Sequence, residues 1–409
     1  MSARQILFII ITPIIAMCVV SFGNGFFTTY SSIELNDIGF SGLIIGVISA
    51  SYFLGMTIGS YFSQFTIIRV GYIRAFVLFA SLMAISALIL GANKSVLVWV
   101  FFRFVCGYSL SALFIIIESW CILSSDEKNR GLVFSIYLFI YYGTQALSQL
   151  MLNIYFSEVL LAYCFISSLF SIAIVLMAFT KTVAPAPHSE EICSPIKIIK
   201  QVPLAIVSSA IGGSLLGAIY SLLPIFLVRI GSEHNIVSLL MMTTILGGML
   251  LQIPIGKLSD MIDRRIVIIL AGTFIFISSL FIFIFHSSYF IFAILIFIFG
   301  GGAFVIYPLS ISHACDFLEE SEVLGAISIL TIAYGLGSVI SPIIVSGVMS
   351  IFGPFGFFII TTLLSFGLCA YAGYRIKVRK SSTDRATFMM ATAESLSFSE
   401  AQEIVSDKY

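Results

Sequence analysis

The chain has 409 residues, of which 59% are apolar and 10% charged, and its net charge is zero. A soluble globule of this length needs a polar skin, and soluble domains average about 25% charged residues, so a water-soluble reading is excluded. The seven cysteines form no C-x-x-C pair and the four histidines are scattered, so neither a disulfide scaffold nor a metal site is expected, and no cofactor. The charge balance itself points to no class of partner, and nucleic acid is not expected as one.

Residues 1–5 lead straight into an apolar run without the polar flank and small-residue cleavage site of a signal peptide, so this run reads as the first membrane helix. Crossing the hydrocarbon takes about 20 apolar residues. Twelve such runs follow one another, at about 5–29, 41–64, 73–92, 95–121, 131–155, 158–180, 203–227, 236–257, 265–285, 289–312, 323–349 and 354–375. They are continuous rather than alternating, which excludes a β-barrel, and backbone satisfaction in lipid then leaves only helices. The expected fold is an all-α integral membrane protein of twelve transmembrane helices in two six-helix bundles.

The basic residues test that count. With Arg4 inside and the spans alternating, seventeen of the twenty lysines and arginines fall on the inner side. Only Lys94 and Arg229 lie outside, and Arg103 lies within a span. This is the positive-inside asymmetry. Both termini and the linker are therefore expected in the cytoplasm, with Glu34 and Asp37 outside.

The longest inner loop, 181–202, carries Ala184-Pro185-Ala186-Pro187 and scattered charges. It divides the chain into an N-terminal bundle, 1–180, and a C-terminal bundle, 203–376, followed by a polar tail, 377–409, to which no chemistry is assigned. A 6+6 count around such a linker suggests a duplication in which two halves rock around a central site.

Polar residues inside the spans are the candidates for that site. Arg103 lies about 12 Å inside the outer end of helix 4 at the helical rise. Two roles are open to it: snorkelling to the interface, or facing a watery cavity to hold an anion or a carboxylate. Asn24 in helix 1 and Gln145 and Gln149 in helix 5 fall in the outer half of their spans, and Tyr141, Gln145 and Gln149 share a helix face. Turned inward they make a polar layer opposite Arg103; otherwise the glutamines are interhelical glue. Glu118 is the one acid read as lying clearly within a span, near the inner end of helix 4. It is a candidate proton carrier, or a partner in a gate-side salt bridge with Arg69, Arg74 or Arg130. In the second half Pro224 and Pro308 are expected to interrupt helices 7 and 10, while Tyr220, Gln252, Tyr307 and Tyr334 are candidates for lining a cavity rather than packing.

The apolar part of the chain, 5–375, resembles the major facilitator superfamily, and most closely its small bacterial YcaD-like branch. The resemblance rests first on the loop motif G-x-x-x-D-R-x-G-R-R. Gly256, Asp260, Arg264 and Arg265 match it, while Met261 and Asp263 depart from it. The first copy is degraded: Arg69, Gly71 and Arg74 remain, but Gln64 and Ile68 stand where Gly and Asp are expected. Arg103-Phe104-Val105-Cys106-Gly107 resembles the R-x-x-x-G element of helix 4, and Glu118-Ser119-Trp120, Asn129-Arg130-Gly131 and Tyr141-Tyr142-Gly143-Thr144 resemble the branch. The glycine series ending in Gly-Pro of antiporters is absent from helix 5.

The resemblance implies alternating-access transport of a small solute, an anion being one expectation, across a bacterial cytoplasmic membrane by a monomer in lipid, with a proton as candidate co-substrate. It also implies that Asp260 approaches Arg130 and Gly131 at the start of helix 5 when the inner side is shut. An exporter working by proton antiport, and a receptor or scaffold on a transporter body, are the alternatives. No nucleotide-binding P-loop or soluble enzymatic domain is present, so the chain is not expected to be an enzyme.

Overall fold

The computed structural model describes residues 3–123, 127–179, 200–318 and 320–378; for 3–10, 122, 123, 127–132, 134, 320, 321, 323 and 324 it describes the backbone alone. The expected linker and tail fall almost wholly outside these residues. Twelve long helices are described: α1 Ala3–Asp37, α2 Gly42–Val70, α3 Tyr72–Ala92, α4 Val96–Leu123, α5 Glu127–Ser148, α6 Val159–Ala178, α7 Pro203–Arg229, α8 His234–Met261, α9 Arg264–Phe285, α10 Tyr289–Cys315, α11 Glu320–Phe352 and α12 Gly356–Val378. No strand occurs among the described residues. Eleven of the helices are long and apolar enough to cross a membrane by length and composition. The twelfth, α5, opens on Glu127, Lys128 and Arg130 and carries Thr144 and Gln145, which dilute its apolar run.

Three boundaries differ from the sequence expectation. Helix α1 continues through Glu34 to Asp37, two turns beyond the apolar run. Helix α5 ends at Ser148 and tightens into a 3-10 turn over Gln149–Asn153. Pro224 and Pro308 do not interrupt their helices, which run on through them, as α11 does through Pro342. Each proline removes one backbone donor, a loss that neighbouring helices can accommodate in lipid.

Short joins are made by specific residues. Ser41 caps α2 by accepting from the Ile44 amide. Gly71 turns the chain between α2 and α3 at φ 82°, a left-handed conformation that disfavours a side chain. Asp263, which replaces the motif glycine, caps α9 by accepting from the Arg265 amide at 3.0 Å and also binds the Arg265 guanidinium at 2.6 Å.

The two halves, α1–α6 and α7–α12, repeat one packing device. A Cβ on Gly55 of α2 would strike the carbonyl of Phe104 in α4, and one on Gly107 would strike the carbonyl of Tyr52. Gly247 of α8 and Gly300 of α10 stand in the same reciprocal relation to Phe297 and Thr244. Only glycine permits such close approach of two backbones. Counting from these glycines, Ile296 and Ile311 of α10 occupy the places of Arg103 and Glu118 in α4. The duplication therefore keeps the backbone and puts both charges in the first half alone.

Across the halves, α2 packs on α11, α5 on α8 and α1 on α7. At the end that the basic-residue bias names outer, the halves are joined by hydrogen bonds. Arg229 donates to Asn36 at 2.9 Å, Asn153 to Ser238 at 3.3 Å, and Ser238 to the Gln149 carbonyl at 2.9 Å.

Candidate functional site

The centre of the first half is a buried guanidinium. Arg103 is 4% exposed, and its Cζ lies 4.4 Å from the ring centroid of Tyr52 in α2 and 5.0 Å from that of Phe27 in α1. Cation–π contacts of this kind are worth up to about 2 kcal/mol when desolvated, far below the cost of taking an unpaired ion out of water. Its Nη1 is buried without a hydrogen-bond partner, and no carboxylate pairs with it among the described residues. Asn24 sits beside it, exchanging a hydrogen bond of 3.3–3.4 Å with the Tyr52 hydroxyl.

The other predicted polar residues gather on the far side of α1. Gln149 donates to the Gly25 and Gln145 carbonyls, both at 3.3 Å, and accepts from Thr29 at 2.8 Å. Gln145 accepts from the hydroxyl of Tyr220 in α7 at 3.3 Å, a bond between the halves. Asn24 and Gly25 are adjacent, so α1 carries one polar layer that runs from Arg103 on one side to Gln145 and Gln149 on the other. Tyr141 packs its ring on Phe114 at 5.1 Å, and its neighbour Tyr142 meets Phe304 of α10 at 5.7 Å.

Nearer the inner end, Glu118 is fully buried. Its charge acts on Tyr307 of α10, in the opposite half. Tyr307 is hydrogen-bonded to Thr331 at 2.9 Å, and its ring meets that of Tyr334 at 4.9 Å in a tilted pair. Tyr334 and Thr331 line a narrow cleft of about 20 Å³ between α2, α4 and α11, together with Thr57, Ser60, Ser111 and Ser338. Gln252 of α8 is 1% exposed and its amide nitrogen has no partner, so each half holds a buried, unsatisfied donor.

The gate candidates divide. Arg69 and Arg74 are exposed and form no ion pair with Glu118; the side chains at 130 and 131 lie outside those described. In the second half Arg264 is fully buried. It binds Asp316 at the end of α10 at 3.0 Å and Asp260 at 3.4 Å, while Gly256 is buried one turn before Asp260 and its carbonyl accepts from Ser259 at 2.8 Å. Arg265 turns away, to Asp263 and to the Arg375 carbonyl at 3.4 Å. In the first half Ile68, Tyr72 and Leu123 hold the corresponding places in the sequence, so this triad is not repeated there.

Three enclosed acids escaped the sequence reading: Asp316, Glu34 and, near the start of α11, Glu322. Asp316 follows an apolar helix, and nothing near it in the sequence marks it as the partner of Arg264. Glu34, expected in an outer loop, is 9% exposed in the extended end of α1, where the hydroxyl of Tyr163 in α6 donates to it. The one available signal was its spacing: Tyr30 and Glu34 are a helical turn apart.

Comparisons with known proteins agree with this architecture. The sequence profile described as Major Facilitator Superfamily matches residues 14–234 and again 228–406. The chain is 26% identical over 325 residues to proteins named "Uncharacterized MFS-type transporter YcaD" from Salmonella newport and Salmonella typhi, covering 79% of this chain and 84% of each relative. Its fold is similar to the crystal structure of a point mutant of the nucleoside transporter NupG, with a TM-score of 0.73 at 11% identity, over 89% of this chain and 98% of that one. A twofold profile match spanning both halves, on a helical body with a polar layer at its centre, identifies the chain as a member of the major facilitator superfamily, a multi-pass membrane transporter of small solutes.

Proposed function

We propose that the solute is anionic and that Arg103 is its anchor. The carrying observation is a guanidinium only 4% exposed that makes no hydrogen bond or ion pair with the described residues. An isolated buried cation costs several kcal/mol, and a transporter recovers that cost when the solute brings the counter-charge. Gln252 offers a second donor, deeper along the path. Counted from the outer starts of α4 and α8 at about 1.5 Å per residue, the two lie about 16 Å apart in depth, so they act as successive stations for a small solute.

Glu118 is the acid best suited to carry a coupled proton. It is buried, it belongs to the first half, and its charge reaches Tyr307 in the second, so rocking of the halves changes its surroundings. That dependence is what a coupling group needs. The Arg264 network holds the inner end of the second half, and Asp260, partly exposed at its edge, is the member we assign to meet the start of α5 when the inner side shuts. Orientation follows from the basic residues: the bonded end around Asn36 and Arg229 faces outward, both termini face the cytoplasm, and the membrane is the bacterial inner membrane, as expected for relatives of this kind. Both halves of the path lie in one chain, which makes the monomer the working unit.

The test is a ligand screen on purified protein followed by flux into proteoliposomes, with and without an imposed proton gradient. Arg103→Ala is expected to remove anion flux while leaving folding intact. Arg103→Lys is expected to restore it in part, since an ammonium does not reproduce the planar fork. Full anion flux in a well-folded R103A protein would contradict the reading.

A further inference from the structure

We infer that the solute is a monocarboxylate with a flat, apolar body, an inference that rests on the reading of Arg103 as the anion anchor. Three observations lead there.

The first is charge. Among the described residues, the interior polar layer holds one basic group. Arg264 and Arg265 are each bound by aspartates at the inner end of the second half, Arg229 is at the outer end with Asn36, and Arg69 and Arg74 are exposed at the inner end. A monoanion at Arg103 leaves a neutral pair. A phosphate dianion would leave a surplus negative charge in a low-dielectric interior, where unpaired ions are most costly.

The second is shape. The rings of Tyr52 and Phe27 lie against the guanidinium at 4.4 and 5.0 Å. With both rings beside the cation, the Nη1 edge of the guanidinium still has no hydrogen-bond partner. A planar carboxylate docks on such an edge through two parallel hydrogen bonds.

The third is the ring cluster where the halves meet. The counterparts of Arg103 and Glu118 in the second half are Ile296 and Ile311. Tyr142 of the first half meets Phe304 of the second at 5.7 Å, and Phe304 meets Tyr220 at 5.9 Å. The Tyr220 hydroxyl is already engaged by Gln145. Ring faces of this kind favour a flat apolar body, which stacks on them, over one that must keep its hydration.

The experiment is isothermal titration of the purified full chain in lipid nanodiscs with five probes: benzoate, its neutral isostere benzamide, phenyl phosphate, acetate and gluconate. Benzoate is expected to bind at least about tenfold more tightly than each of the others. Arg103→Gln, which keeps a polar side chain of similar reach, is expected to bring benzoate down to the affinity that benzamide has for wild type. An unfolding temperature close to that of wild type reports that the variant is folded. Phenyl phosphate binding as well as benzoate would overturn the monocarboxylate class while leaving Arg103 as an anion site. Gluconate or acetate matching benzoate would overturn the apolar body. Benzoate binding R103Q as tightly as wild type would overturn this inference together with the anion reading. Binding of no probe would overturn the inference alone.

Discussion

The Tyr163 hydroxyl in α6 donates to the Glu34 carboxylate in the last turns of α1. It ties a buried acid to a tyrosine that is itself fully enclosed by the rings of Phe27, Tyr30 and Trp99. The charges of Lys94 and Asp37 also act on this carboxylate. Two residues farther on, Asn36 makes the bond to Arg229 of the other half. The Glu34 anchor therefore fixes the helix end that closes the outer side.

Removing the tyrosine hydroxyl should lower stability by about 1.5–3 kcal/mol, the range for a hydrogen bond to a charged group. Thermal unfolding of purified Tyr163→Phe, Glu34→Gln and the double variant measures it. The double variant is expected to lose less than the two single losses combined, because the second change removes a group already orphaned by the first. Strict additivity would mean that the two residues stabilise the chain independently.

The outer closure should depend more on Ser238 than on Arg229. Ser238 is buried and bonds both Asn153 and the Gln149 carbonyl, whereas the Arg229–Asn36 bond is solvent-exposed and is worth about 0.2–1 kcal/mol. Ser238→Ala is expected to speed labelling of a cysteine introduced at Ser346 by a membrane-impermeant reagent, and Arg229→Ala to speed it less. Equal labelling in wild type and S238A would remove Ser238 from the closure.

The Arg264 network predicts an asymmetric pair of variants. Arg264→Ala takes the guanidinium away from the Asp316 carboxylate, which is nearly buried, and should cost about 3–5 kcal/mol. Asp260→Asn, at a position 36% exposed, should cost under about 1 kcal/mol and act instead on the balance of open and closed states. Yields and unfolding temperatures that rank the other way would show that Asp260, not Asp316, carries the network.

Helix number and the polar residues shared by α1 and α5 were legible because hydropathy and helical spacing are local properties. The end of α1 was not. Its apolar run stops near residue 29, and Glu34 is buried only because Tyr163, far away in sequence, reaches it. The continuity of α7, α10 and α11 through their prolines was illegible for a similar reason, since neighbouring helices supply what each proline removes. Proline alone reads as a break. The rings around Arg103 were equally hidden: Phe27 and Tyr52 are ordinary span aromatics until α1, α2 and α4 are packed together. Asp263 departs from the family motif, and its role as both helix cap and partner of Arg265 emerges only from the folded loop.

The central claim is that an anion at Arg103 biases the rocking of the two halves. It is tested most directly by electron–electron distance measurements on two spin-label pairs, Asp37 with Glu233 at the outer end and Arg69 with Met261 at the inner end. All four positions are exposed. On adding benzoate to wild type, the two distance distributions are expected to shift in opposite directions, and in Arg103→Gln to stay where they were. Distributions that ignore the anion in wild type, or that shift equally in R103Q, would contradict the claim.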